Sequence, residues 1–222
     1  MRYLFRDQSN RGGAALLCSS ALVLFCLIIL LAIVPDLAPT QAWVLLFMLL
    51  LLAGAVAYHK LTAPWFLVEL NPQGLIYHHR AGSWLLPWQA FAYARVAELS
   101  GQGELAFIGF KVTAIEQFLP NLPLRLAVKL LIEQRHLLLT ALRQNCPSGT
   151  CPSELMLETG PYQSKTRLYH GVQAMFAHRM QHCSTLLGLE LFIPTAGLPL
   201  PAQQFCQQVN QSRLIYLKNS QT

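Results

Sequence analysis

Residues 65–88 read WFLVELNPQGLIYHHRAGSWLLPW, and this stretch decides the fold class. Three short runs rich in aromatic and aliphatic residues alternate with two turn signals, Asn71–Gly74 and Ala81–Gly82. A turn that contains Pro and ends in Gly, followed by a second glycine turn, predicts a three-strand antiparallel meander. The runs 92–99 and 105–112 extend it to five strands in about fifty residues.

After this meander, polar residues are spaced along the chain as they are on one side of a helix. Polar residues recur at 125, 129, 133, 136, 140 and 143, which predicts one helix over 123–143 with a narrow polar stripe. A helix over 170–187, a strand at 189–194 and a last helix at 201–211 follow. We therefore expect an α+β fold in which a helical block at about 113–187 is inserted into an antiparallel β domain.

The chain before the meander is far more apolar than a soluble domain. Overall, 54% of the 222 residues are hydrophobic and 12% are charged, against about 25% charged in a typical soluble protein. The run Ala14–Val34 (AALLCSSALVLFCLIILLAIV) has no charge and would span about 31 Å as a helix. A second apolar run occupies 42–58. A cleavable signal peptide is the alternative, but its apolar core is usually only about 7–15 residues long.

We therefore expect two parts. Residues 1–60 form an N-terminal stub and a two-helix transmembrane hairpin (about 14–34 and 42–58), and residues 61–222 form one domain. Arginines precede the hairpin and Lys60 and Arg80 follow it, whereas the connecting loop contains no Lys or Arg. By the positive-inside rule, this multi-pass topology places both termini in the cytoplasm. In that reducing compartment the six cysteines are expected to be free thiols.

Two combinations of motifs carry a family resemblance. The opening LNPQGLIYHHRAGSWLLPW and the closing LELFIPTAGLPLPAQQF, together with the hairpin, resemble bacterial PH-like (pleckstrin-homology-like) membrane proteins. The resemblance implies a PH-like barrel, in which a strand ending in Ile-Pro leads into a terminal capping helix. IEQRHLL, HGVQAMFAHRM and GLELFIP look like an inner-membrane family of gammaproteobacteria of unknown function, which implies location in the bacterial inner membrane and transfers no site residues.

The sequence contains few groups suited to catalysis. Its two aspartates lie at positions 7 and 36, outside the predicted domain, and GxSxG, HExxH and GxxxxGK[ST] are absent. We expect neither enzyme activity nor a cofactor. The one metal or thiol candidate is a set of two cysteines in a Pro- and Gly-containing loop and two histidines spaced i, i+4: Cys146, Cys151, His178 and His182.

Basic residues give the main binding hypothesis. Lys60, Arg80, Arg125, Lys129 and Arg143 are candidates for contact with anionic headgroups, at about 1 kcal/mol per charge. The sequence has no dense basic patch with interleaved aromatic residues, and we therefore do not expect it to bind nucleic acid. The expected function is a membrane-tethered, non-enzymatic binding or assembly module whose partners are the bilayer, a membrane or cytoplasmic protein and anionic lipid. The alternative is a membrane-associated metal- or thiol-dependent hydrolase built on the helical block.

Overall fold

The computed structural model describes residues 3–6, 12–33, 41–61, 66–99, 103–145 and 158–219. It confirms the α+β class, with helices and antiparallel sheets. The chain divides into two compact units: Met1–Arg6 together with Phe66–Thr222, and Asp7–Trp65. The first six residues thus belong to the sheet unit, whereas the sequence analysis grouped them with the hairpin.

The elements are numbered here along the chain. The strands are β1 (Tyr3–Arg6), β2 (Phe66–Asn71), β3 (Gly74–His79), β4 (Gly82–Pro87), β5 (Phe91–Leu99), β6 (Gly103–Val112), β7 (Tyr162–Gln163), β8 (Leu168–Tyr169) and β9 (Leu191–Pro194). The helices are α1 (Gly13–Ile33), α2 (Gln41–Leu61), α3 (Ile115–Phe118), α4 (Leu124–Glu133), α5 (Arg135–Asn145), α6 (Gly171–Leu187) and α7 (Ala202–Asn219).

The unit Asp7–Trp65 consists of α1 and α2 packed against each other. Gly54 of α2 faces Ser20 of α1, and a Cβ on Gly54 would lie 3.9 Å from Ser20 Oγ, an ordinary van der Waals distance. Most aliphatic side chains of both helices are exposed. Within the described residues, one helix contains a stretch long and apolar enough to cross a membrane, Gly13–Leu30 in α1. The apolar run Trp43–Tyr58 in α2 is shorter.

The first sheet has the order β1-β2-β3-β4 and is antiparallel throughout. Its edge strand β1 pairs with β2, so that Tyr3 lies opposite Leu70 and Arg6 lies opposite Phe66. The strand before α1 and the strand after α2 are therefore hydrogen-bonded neighbours. The meander β2-β3-β4 is as predicted, whereas β1 was missed.

Asn71 organises the turn between β2 and β3. Its Oδ1 accepts hydrogen bonds from the backbone N–H groups of Gln73 and Gly74, each at 2.9 Å, as in an Asx turn. The Trp88 indole donates to the Asn71 carbonyl at 2.9 Å. A side chain does not fit at the end of this turn, because a Cβ on Gly74 would lie 2.2 Å from the carbonyl oxygen of Leu86 in β4.

The second sheet has the order β5-β6-β9 and is also antiparallel. Helix α7 packs against β5. Asn210 of α7 accepts from the Ala94 amide at 2.8 Å and donates to the Ala94 carbonyl at 2.9 Å. Among the described strands, neither sheet closes into the expected barrel, since a helix side chain takes the place of a further strand beside β5.

The main hydrophobic core combines side chains from both sheets with side chains from the helices. Trp84 of β4 is fully buried and meets Phe110 and Phe118 edge to face, with ring centroids 6.0 and 5.7 Å apart. Phe5 of β1 contacts Phe205 of α7 at 5.0 Å. A smaller cluster joins α5 and α6 to the second sheet and fixes the helical layer on it.

The predicted helix over 123–143 is in fact two helices, α4 and α5, separated at Gln134. The buried Gln134 side chain donates to the Phe192 carbonyl of β9 at 2.9 Å. Arg179 of α6 donates to the carbonyls of Leu131 and Gln134. These bonds satisfy carbonyl groups at the end of α4, and the polar stripe is consequently divided between two helices. The last helix, α7, runs past its predicted end at 211 to Asn219.

Candidate functional site

Helix α4 presents an apolar row beside a basic row. Leu124, Val128 and Ile132 are spaced four residues apart and are 55%, 41% and 64% exposed. Arg125 and Lys129, both predicted lipid contacts, are exposed on the neighbouring row. Exposed aliphatic side chains next to basic ones are typical of helices that lie in a membrane interface. We call these five residues the α4 face.

The other three basic candidates lie on separate elements. Arg80 is exposed in the turn between β3 and β4, and Arg143 is exposed in the last turn of α5. Lys60 is exposed near the end of α2, in the helical unit. Of the five cations singled out in the sequence, only Arg125 and Lys129 share one helix face.

Glu133 reduces the positive charge at the C-terminal end of the α4 face. One of its carboxylate oxygens lies 3.5 Å from Lys129 Nζ, and the other lies 3.2 Å from His79 Nε2. The second contact links α4 to the end of β3. The net charge of the face is therefore concentrated at Arg125, one helical turn closer to the N-terminus.

A groove of about 310 Å³ opens between the α4–α5 pair and α6. Its aliphatic lining consists of Val128, Leu131, Ile132, Leu138, Val172 and Met175. Val128 and Ile132 also belong to the α4 face, so the groove and the face form one continuous surface. The sequence did not predict this groove, because it depends on the break at Gln134 and on the packing of α6 against both helices.

Two arginines border the groove. Arg135 is exposed, and within the described residues it has no hydrogen-bond or ion-pair partner. Arg179 is held by the carbonyls of Leu131 and Gln134, the first at 2.9 Å. Burial lowers the pKa of the Arg179 guanidinium. The sequence analysis singled out neither arginine as a binding residue.

Glu158 joins the two histidines that were proposed as metal ligands. One carboxylate oxygen lies 2.9 Å from His182 Nε2 and 3.4 Å from His178 Nδ1. Glu158 was not predicted from the sequence as part of this cluster. Cys146 and Cys151 lie outside the described residues. In the part of the chain that the structure describes, no three His, Cys, Asp or Glu side chains are grouped to hold a metal ion.

The thiols of the sheet unit are poorly suited to nucleophilic chemistry. Cys183 and Cys206 are free and buried. Burial raises the pKa of Cys183, an effect that the nearby Arg179 partly offsets. Burial also raises the pKa of Cys206, to about 11. A catalytic cysteine needs the opposite, a lowered pKa and access to solvent.

We therefore expect iodoacetamide at pH 8 to leave Cys183 and Cys206 unmodified in the folded protein. With a pKa of about 11, the thiolate fraction of Cys206 at pH 8 is only about one in a thousand. Peptide mass spectrometry after alkylation measures this, and the same reaction in denaturant, where both thiols should react fully, is the control. Native-state alkylation of either thiol as fast as that of glutathione would contradict the expectation.

A second hollow, of about 290 Å³, lies between the first sheet and the end of α7. Tyr3, Leu70, Trp88, Ile215 and Tyr216 are among its lining residues. The Trp88 and Tyr216 rings lie 6.2 Å apart. This largely apolar, aromatic lining contains no charged side chain, and it is therefore better suited to a protein side chain than to a charged small molecule.

Comparison with known proteins places these features in a family. The family model described as "Protein of unknown function (DUF2982)" matches residues 68–214. The match begins in β2 and ends in α7, and it includes the α4 face and the groove but not β1, α1 or α2. Curated proteins and solved structures give no significant match. Because the family model covers more than half of the sequence, the chain belongs to the DUF2982 family of proteins of unknown function.

Proposed function

We propose that this protein is a membrane-tethered, non-enzymatic PH-like module that binds a protein partner and anionic lipid at the cytoplasmic face of the bacterial inner membrane. The observation that carries the proposal is the pairing of β1 with β2 across an apolar helical hairpin. The α4 face supplies the surface for lipid. The second hollow supplies an apolar surface for protein.

The β1–β2 pairing supports a hairpin with two membrane crossings. A segment that leaves a sheet and returns to the same sheet must cross a bilayer an even number of times. If α1 crosses, α2 is the element available for the return. Its apolar run spans only about 24 Å, but Trp43 and Tyr58 at its ends are residue types favoured at membrane interfaces. Cleavage after α1 would instead remove β1 from the sheet.

The distribution of basic residues supports the proposed orientation in the membrane. Arg2, Arg6 and Arg11 precede α1, and the connection at 34–40 contains no Lys or Arg. With two crossings, the positive-inside rule favours both termini and the sheet unit on the cytoplasmic side.

The order of the sheets supports a PH-like module. Two antiparallel sheets share one core, and β9 ends in Ile193–Pro194 before the closing helix α7. The helical block is an insertion between β6 and β9. It therefore adds a layer to the module without separating the two sheets.

The hydrolase alternative has less support from the described residues. The buried, high-pKa thiols are unsuited to nucleophilic attack. His178 and His182 both contact one carboxylate oxygen of Glu158, at 3.4 and 2.9 Å. Binding, for which the α4 face and the groove supply surface, is the better interpretation.

Site-specific labelling with a charged, membrane-impermeant maleimide tests the tether. The starting chain carries Cys18→Ala, Cys26→Ala, Cys146→Ser and Cys151→Ser, since Cys18 and Cys26 of α1 are exposed free thiols. Thr40→Cys or Gln211→Cys then adds one thiol for labelling. We expect Thr40→Cys to react from the periplasmic side and Gln211→Cys to react only in inverted vesicles. Labelling of both from the same side, or release of the protein by alkaline carbonate, would overturn the proposed topology.

Native mass spectrometry of the full-length protein released from its own membrane tests the binding role. A stoichiometric protein partner or retained anionic lipid is the expected result. A bare chain that carries only a metal ion would overturn the proposal in favour of the hydrolase.

A further inference from the structure

The groove between α4–α5 and α6 has the dimensions and lining of a binding site for an aliphatic chain. Leu138 forms a buried part of the lining, Leu131, Val172 and Met175 are half-buried, and Ile132 on the rim is 64% exposed. Its volume of about 310 Å³ is at the lower end of the range for ligand pockets, about 300–1,000 Å³. One acyl chain suits such a groove better than a bulky ring system does.

The charges at the groove favour an anion. Arg135 stands at its border without a partner in the described part of the chain. In the described part of the chain, the Arg179 guanidinium donates hydrogen bonds to two backbone carbonyls and interacts with the Cys183 side chain. Among the described lining residues the acid is Glu158, and its carboxylate is shared by two histidines. A guanidinium with free donors beside an apolar groove is complementary to an apolar molecule with a phosphate or carboxylate at one end.

The surface around the groove indicates where that molecule comes from. Val128 and Ile132 continue the lining onto the α4 face, where Arg125 and Lys129 add positive charge. An acyl chain can therefore pass from a membrane surface into the groove without crossing a polar barrier. A negatively charged leaflet would supply both the attraction for the α4 face and the lipid itself.

We propose that this groove binds one acyl chain of an anionic phospholipid whose phosphate is held by Arg135. The inference rests on the proposed tether, because the leaflet is the source of the lipid. It assigns a single lipid site to the helical insertion, distinct from general attraction between basic residues and the membrane.

Photo-crosslinking in nanodiscs tests this site with the full-length chain. The probe is phosphatidylglycerol with a diazirine near the end of one acyl chain, and phosphatidylcholine with the same chain is the control lipid. We expect peptides covering 128–138 and 172–179 to be labelled by the first probe and much more weakly by the second. Equal labelling by both probes would overturn the proposal, because the site would then not select an anionic headgroup.

Variants separate the groove from the rest of the surface. Arg135→Glu should reduce groove labelling at least about tenfold, since it removes a charge-assisted hydrogen bond. Arg167→Glu changes an exposed arginine that is neither part of the groove lining nor one of the five candidate lipid contacts, and it should change labelling less than twofold. Met175→Trp should abolish it by filling the groove. Equal loss in the two arginine variants would overturn the proposal in favour of diffuse surface attraction.

The same spectra distinguish failure of this inference from failure of the tether. Labelled α1 and α2 with an unlabelled groove would overturn only the lipid site, whereas an unlabelled hairpin would overturn the tether. A photoreactive residue at 175 that captures a protein segment and no lipid would overturn the lipid site in favour of a protein partner.

Discussion

Replacing Glu190 with alanine should lower the free energy of unfolding by about 3–5 kcal/mol. This carboxylate is 6% exposed and accepts three hydrogen bonds. The donors are Lys111 Nζ at 2.6 Å, the Val112 amide at 2.7 Å and Ser184 Oγ at 2.6 Å. Its removal would leave the buried Val112 amide without its acceptor and would take from the partly buried Lys111 ammonium its charged partner, while the longer contact of Lys111 with Ser184 Oγ at 3.1 Å would remain. Each such loss is costly.

Denaturant titration of the full-length protein in detergent, followed by tryptophan fluorescence, measures this effect. Glu190→Gln keeps an acceptor for Val112 and should cost less than Glu190→Ala. Glu98→Ala removes an exposed carboxylate from β5 and should change the stability by less than about 0.5 kcal/mol. A Glu190→Ala protein whose free energy of unfolding lies within about 1 kcal/mol of the parent value would contradict the role assigned to Glu190. That limit corresponds to about a fivefold change in the folding equilibrium constant.

Gly74→Ala is the second substitution for which we expect a large effect, a loss of at least about 3 kcal/mol. The new Cβ would lie 2.2 Å from Leu86 O and 2.9 Å from both Leu86 C and Pro87 Cα. All three atoms belong to the backbone of β4, so no side-chain rotation can relieve the clash. β3 would have to separate from β4 where Gly74 lies opposite Pro87, next to the buried core residue Leu86.

Gly160→Ala is the matched control for this substitution. Gly160 has no heavy atom within 4 Å of the Cβ position and no left-handed backbone angle. Its substitution should therefore change the stability by less than about 0.5 kcal/mol. Equal midpoints for the two variants in the same denaturant titration would show that β3 and β4 are not in close contact at Gly74.

The sequence predicts the parts of the fold that depend on neighbouring residues. The Asn71–Gly74 turn and the alternation around it are local signals, and the strands from β2 to β4 follow from them. β5 and β6 were predicted to extend this meander, whereas they form a second sheet with β9. β1 is different, because its partner β2 lies beyond α1 and α2 in the chain. In addition, a strand of four residues is too short to show a clear alternation of apolar and polar residues. The break at Gln134 is also a tertiary effect, since it depends on Phe192 and Arg179.

The same distinction applies to the candidate site. The spacing of Arg125 and Lys129 along one helix was sufficient to identify the basic row of the α4 face. The groove could not be found in this way, because its two walls are joined only by the packing of α6. Glu158 was missed for the same reason, since its histidine partners lie in α6 while Glu158 itself precedes β7.

The pairing of β1 with β2 also sets an order of events during synthesis. β1 is translated first, but its partner is not available until residues 7–65 have been made. The sheet therefore stays incomplete until both α1 and α2 have been synthesised. A fragment starting at Phe66, close to the family boundary at residue 68, would leave the edge of β2 open to other chains and Phe205 without Phe5.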